Sequence, residues 1–250
     1  MKNMIKAINR EIKKTVKNPK RILSLLNPQA VKYYLRIIEA DNLVENKWIL
    51  SDNFVRRQYG SYNKYLDHQK SKLKHLSLAE YDKKYFQALS ERLKKTGISL
   101  QNKNVLCLAA RIGTEVRAFR DNGAFAVGID LNPGKKNEYV LYGDFHNLKF
   151  FDDSIDVIFS NSLDHSFSLD KVLAEIKRVL KPGGSVIIEA VSGSLEGAKP
   201  GLYESTFWPT TNHLKNYIET KGLVLEYENP IDYPWKGKML RFVKGSASSK

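Results

Sequence analysis

An acid at the tip of a strand, close to a tight turn of small side chains, can hold the sugar of a nucleotide. Asp130 occupies such a place. The run Val105-Leu106-Cys107-Leu108 reads as a buried parallel strand, and Ala109, Ala110 and Gly113 form a turn of small residues after it. A helical pattern then runs from Thr114 to Asn122, and a second apolar run, Phe125 to Ile129, ends on Asp130. Strand, turn, helix, strand and acid in this order are the layout of a nucleotide-binding βαβ unit. The turn lets a ligand approach the backbone and the helix amides face it. The Asp130 carboxylate can then accept both ribose hydroxyls. These residues imply an adenosine-containing cofactor.

The elements that must position this unit follow from the rest of the chain. Its 250 residues suffice for one substantial core with an appended part. The 42% hydrophobic and 27% charged fractions are those of an ordinary globular protein. No apolar run approaches the roughly 18 residues that span a bilayer, and the basic N-terminus lacks the apolar stretch of a secretory signal. The single cysteine, Cys107, cannot form an internal disulfide or a multi-cysteine metal site. A cytoplasmic setting and no metal are therefore expected. Charge is unevenly placed: residues 1–75 carry 17 Lys and Arg against 6 Asp and Glu, while residues 76–250 carry 24 against 21. The excess marks a basic attachment rather than a basic catalytic face.

Residues 1–18 place Met1, Met4, Ile5, Ile8, Ile12 and Val16 at helical spacing, ending at Asn18-Pro19. Further helical runs are expected at Ile22 to Leu26 and Gln29 to Ala40. This basic amphipathic segment first of all suits docking on its own protein or a second copy; the anionic inner face of a membrane, through residues 1–26, comes second and nucleic acid last. Residues 58–75 are aromatic and basic without a strand pattern. Ser77 and Glu80 form a capping box that opens a helix to Lys95, closed by Gly97. After Asp130 come strands near Tyr139 to Tyr142 and Ile155 to Ser160, and a helix over Ser168 to Leu180. The Lys181-Pro182-Gly183-Gly184 turn follows, then a strand over Ser185 to Glu189, a helix over Asn212 to Lys221, and strands near Leu223 to Glu228 and Met239 to Val243. This alternation implies an α/β fold with helices on both faces of a mostly parallel sheet.

The ordered set Tyr142-Gly143-Asp144-Phe145-His146, FDDSIDVIFSNSLDHSF and LKPGGSVIIEA resembles the class I S-adenosylmethionine-dependent methyltransferases of the small-molecule type. The resemblance covers residues 104–190. It implies a Rossmann-like, seven-stranded sheet with an antiparallel last strand, formed by residues 76–250, with residues 1–75 as a basic helical extension. It implies S-adenosyl-L-methionine as cofactor. Position by position, Ala109, Ala110, Arg111 and Gly113 match the loop around the methionine part, Asp130 the ribose acid and Leu131 a neighbour of the adenine. Asp144 and Phe145 match the adenine-binding pair, and Asn161 and Ser162 the place where cofactor and acceptor meet. The chain departs from the family at Cys107, where an acid is common, and in a loop poorer in glycine. Arg111 is expected either to bind the methionine carboxylate or an anionic substrate, or to lie exposed beside the loop. Glu115 is expected to satisfy loop amides or to pair with an arginine. The G-x-G-x-x-G pattern of a dehydrogenase is absent.

Methyl transfer from a sulfonium is an in-line displacement, so alignment and exclusion of water are the main tasks. A base is needed only for a protonated nucleophile. His165 beside Asp164 is the first candidate, with His213 and His68 behind it. Tyr59, Tyr62 and Tyr65 with His68, Gln69 and Lys72 form either an active-site lid or a plain helix packed on the sheet. The stretch Tyr203 to Trp208 lies where related enzymes place acceptor-recognition elements, and its aromatics equally suit a plain core role. The expected function is methyl transfer to a small-molecule, sugar or lipid-linked acceptor. The alternatives are an RNA methyltransferase, for which the base-amino tetrapeptide of DNA methylases is missing, and a non-catalytic cofactor-binding protein. The oligomeric state is left open.

Overall fold

A computed structural model describes residues 47–51, 53–72 and 79–245. The helices and the membrane or partner contact expected in residues 1–40 lie outside the described residues, as does Ser77 of the capping box.

The elements are strands β1 (Trp48–Ser51) and β2 (Phe54–Arg57), helices α1 (Tyr62–Ser71) and α2 (Ala79–Lys95), β3 (Asn104–Leu108), α3 (Thr114–Asp121), β4 (Phe125–Asp130), β5 (Val140–Tyr142) and β6 (Ile155–Ser160). They continue with α4 (Leu169–Val179), β7 (Leu180–Val191), β8 (Thr206–Phe207), α5 (Thr211–Thr220), β9 (Leu223–Ile231) and β10 (Gly237–Lys244). The large sheet has the order β5-β4-β3-β6-β7-β10-β9. Strands β5 to β7 of that order pair in parallel, and β10 runs antiparallel to both β7 and β9. This is the Rossmann-like α/β sheet expected from the alternation, with its reversed strand near one edge.

Strand β3 shows why the sheet is covered on both faces. Its alternate residues Leu106 and Leu108 join one apolar cluster, with Leu173 and Ile176 of α4 and Leu214 and Ile218 of α5. Val105 and Cys107 point the other way, into a cluster with Leu89 and Leu93 of α2 and Val116 and Phe119 of α3. The period of two along the strand thus feeds two helical layers. Burial of each such side chain contributes about 1.5–3 kcal/mol. The strand order switches at β3, with β4 to one side and β6 to the other, and this opens a crevice at the carboxyl ends of the parallel strands.

Two local features differ from the sequence expectation. The extension is not helical throughout: Trp48 to Arg57 form a hairpin that turns at Asn53, whose φ is 61°, and β2 pairs with β8. The partner strand lies about 150 residues away, so no local period announces it. The Lys181–Gly184 turn is absorbed into β7, with an irregularity opposite β6 between Ile155 and Val157 and a left-handed Gly183 (φ 75°). No helix among the described residues is long and apolar enough to cross a membrane.

Candidate functional site

The loop after β3 keeps a glycine-like path with other residues in place. Ala109 has φ 53° and Arg111 φ 46°, both left-handed. Each such residue costs about 1–2 kcal/mol, so the surroundings must hold it. They do so through the backbone. The Ala110 amide donates to the Ile129 carbonyl at 3.0 Å, and the Gly113 amide to the Ala110 carbonyl at 2.7 Å. The Arg111 amide donates to Asp130 Oδ2 at 3.0 Å, and the Asn132 amide to Asp130 Oδ1 at 2.7 Å. Close packing also requires Gly128 on β4, where an added Cβ would stand 2.7 Å from the Ala110 Cβ.

The second acid, Asp144, follows β5. Its Oδ1 accepts from the His146 amide at 2.9 Å and from His146 Nδ1 at 2.8 Å, and its Oδ2 accepts from the Tyr62 hydroxyl. His146 Nε2 accepts in turn from the amides of Phe167 and Ser168, at 3.0 and 3.2 Å. The proton of the ring therefore sits on Nδ1, facing Asp144. Burial alone would raise Asp144, but the bonds from His146 and Tyr62 outweigh it and hold its carboxyl below the usual range. Burial, with the bond to Asp144, pushes the Tyr62 phenol up. Sequence reasoning missed His146; its place two residues after Asp144 was the available signal.

Helix α1 and the residues that flank it border the crevice, and they divide. Tyr65, Gln69 and Lys72 line the crevice together with Ala109, Arg111, Asp130, Leu131, Phe145, Ser162 and His165. Tyr62 reaches Asp144. Tyr59 and His68 turn elsewhere: the Tyr59 hydroxyl lies 2.9 Å from His68 Nδ1 and 2.7 Å from Ser205 Oγ, and the His68 ring stacks on Tyr203. They fix the 203–205 segment to the helix. His213 packs edge-on against Phe54 at 4.9 Å, behind the hairpin. The segment expected to be either lid or packed helix is thus a helix that also walls the crevice.

A second cavity of about 480 Å³ adjoins the first. It is lined by Ala109, Ala110, Arg111, Asn161 and Ser162, by Tyr81, Phe207 and Trp235, and again by Lys72, Asp164 and His165. At the junction Lys72 Nζ lies 2.8 Å from His165 Nε2, while His165 Nδ1 donates to the Tyr203 carbonyl at 2.9 Å. Both ring nitrogens are thereby engaged. Asp164 lies 3.9 Å from Nε2 and does not orient the ring by a hydrogen bond; the Tyr203 carbonyl does. Burial, then the neighbouring Arg111 charge, pushes Lys72 down, and burial, then Glu204, pushes Asp164 up. Burial and the Lys72 charge hold His165 well below its ordinary value. Asp164, His165 and Glu204 bring three potential metal-donor atoms within 4.8 Å of one another, although no metal was expected. Lys72 sets an amine against the histidine member of that group.

Comparison with known proteins follows the same residues. Residues 106–188 match the family described as Methyltransferase domain. Malonyl-[acyl-carrier protein] O-methyltransferase 1 of Coxiella burnetii is 35% identical over 97 residues, covering 35% of this chain and 34% of its own length. Demethylmenaquinone methyltransferase of Streptomyces avermitilis is 39% identical over 93 residues, covering 34% of this chain and 40% of its own length. The matched region thus spans 34–40% of the length of these curated relatives. A SAM-dependent methyltransferase from Aquifex aeolicus superposes with a TM-score of 0.52 at 16% identity, over 62% of this chain and 89% of that one. At that identity the likeness is one of fold.

The left-handed loop makes a direct prediction. Replacing Ala109 by glycine relieves the strain at φ 53° but frees the unfolded chain. The balance is a gain of about 0.5–1 kcal/mol in urea unfolding, and Ala109→Val is expected to destabilise.

Proposed function

Residues 106–188 form a class I S-adenosylmethionine-dependent methyltransferase domain, and from that premise we propose that the chain methylates a small-molecule acceptor held in the second cavity. The observation that carries this reading is the acceptor capacity left on the two aspartates. A carboxylate has about four acceptor sites. Asp130 gives two to the amides of Arg111 and Asn132, which leaves two for a pair of ribose hydroxyls. Asp144 gives three to His146 and Tyr62, which leaves one for the adenine amino group. Leu131 and Phe145 line the same crevice as Asp130, with Phe145 next in sequence to Asp144, and suit the adenine ring. The residues present fit S-adenosylmethionine.

That cofactor brings a methyl group on a positively charged sulfur, with a neutral thioether as leaving group. The chain's own task is to align the acceptor and keep water out. Tyr81, Phe207 and Trp235 supply apolar walls, with Lys72 and Lys199 as cations along them. This lining suits an acceptor with a ring or acyl body and an acidic O–H group, whether free or attached to a sugar or lipid. Two relatives are named for malonyl-[acyl-carrier protein] and for demethylmenaquinone, neither of them a nucleic acid, which supports the choice of acceptor class. For a protonated acceptor, Lys72 takes the proton. His165, the residue first expected in that role, orients the amine through Nε2 and is itself fixed by the Tyr203 carbonyl.

Incubation with labelled S-adenosylmethionine and fractionated cell extract tests the activity, and label confined to nucleic acid would redirect it. Thermal stabilisation by S-adenosylhomocysteine, but not by NAD, is the expected binding result. Asp130→Ala is expected to weaken that ligand by about 100-fold, since two charge-assisted bonds go with the carboxylate; unchanged stabilisation removes the ribose assignment. Lys72→Arg keeps the positive charge but cannot accept a proton. Turnover of the labelled acceptor is expected to fall by about 100-fold or more, with little change in KM. In the wild type turnover should rise with pH through a midpoint well below the usual lysine range, because burial favours the neutral amine.

A further inference from the structure

Two carboxylates are buried behind the loop, and only one of them has a cation. Glu189 on β7 lies 2.8 Å from Arg92 Nε, and its Oε2 accepts from the Tyr85 hydroxyl at 2.6 Å. Glu115, in the first turn of α3, is only 7% exposed. Its Oε1 accepts from Asn161 Nδ2 at 3.0 Å, and among the described residues it has no ion-pair partner. A buried carboxylate without a cation is costly. Burial accordingly pushes Glu115 up to about 7, against the opposing pull of its own amide, the Arg111 charge and Asn161. The side chain nonetheless lines the second cavity, together with Arg111, Asn161 and Ser162. Its charge also acts on the Cys107 thiol. Glu115 therefore supplies, from the helix, a carboxylate near the strand position where this chain has a thiol.

We infer that Glu115 receives the α-ammonium group of the cofactor's amino-acid end, with Arg111 on the same cavity taking the α-carboxylate. The assignment rests on the methyltransferase reading above. A zwitterion needs one anion and one cation along one wall, and the cavity offers this pair beside the loop. Glu115 has capacity to spare: Asn161 and its own amide take two of about four acceptor sites. Asn161 is held in its turn, donating to the Tyr85 hydroxyl at 2.8 Å and accepting from Ser162 Oγ at 2.9 Å. The carboxylate is thus oriented before any ligand arrives, and the ammonium supplies the charge that the fold omits. Glu115 binds and positions; it does not touch the methyl group.

Calorimetry on the full chain tests this with two ligands, S-adenosylhomocysteine and its deaminated counterpart, in which hydrogen replaces the α-amino group. The wild type is expected to prefer S-adenosylhomocysteine by about 10- to 100-fold. Glu115→Gln should lose most of that preference, while affinity for the deaminated compound changes by less than about threefold. Equal wild-type affinity for the two ligands overturns the assignment and needs no variant to fold. A Glu115→Gln chain that weakens both ligands alike also overturns it, since that is a structural effect. A wild type that binds neither compound overturns the cofactor reading itself, a failure distinct from the other two.

Discussion

The carboxylate of Asp130, gripped by the amides of Arg111 and Asn132, is the tie on which the site depends. It joins the loop after β3 to the tip of β4, the two edges of the crevice. Together with the Ala110–Ile129 and Gly113–Ala110 backbone bonds it holds Ala109 and Arg111 left-handed, although neither is glycine. The bonds from Arg111 and Asn132 leave the outer faces of the carboxylate free. A single side chain thereby sets the shape of the loop and presents the acceptor sites that a ribose requires.

Around that tie the chain concentrates buried charge. Glu115, Glu189 and Asp164 are all pushed upward by burial, and Lys72 is pushed down. Such groups lower stability, and they gather near the carboxyl ends of the strands, the place where the proposed site lies. Elsewhere the apolar clusters on both faces of the sheet provide the stability that offsets them. The junction of the two cavities, where Lys72 meets His165, brings helix α1 and the segment after β6 onto the same few ångströms. The covering helix therefore completes the site as well as shielding it.

The βαβ unit was legible because its signals are local: an apolar run, small residues, a helical period and a terminal acid within Asn104 to Asp130. The helices α2 to α5 and the last two strands were legible for the same reason. The hairpin at Trp48 to Arg57 was not, because its partner β8 is remote in sequence. Nor was the division of α1 and the residues before it, where Tyr62 reaches Asp144 while Tyr59 and His68 face Tyr203 and Ser205; a one-dimensional pattern cannot say which neighbour each side chain meets. His165 was read as a base beside Asp164, and only the fold shows Lys72 and the Tyr203 carbonyl on its two nitrogens. The loop taught the opposite lesson. It is poorer in glycine than the family it resembles, yet tertiary bonds impose the glycine-like path on Ala109 and Arg111.

A crystal structure of the chain with S-adenosylhomocysteine tests the central claim most directly. The account predicts both ribose hydroxyls within hydrogen-bonding distance of the Asp130 carboxylate, with the amides of Arg111 and Asn132 still bound to it. A nucleoside seated elsewhere, or an Asp130 side chain turned away from the sugar, would contradict it.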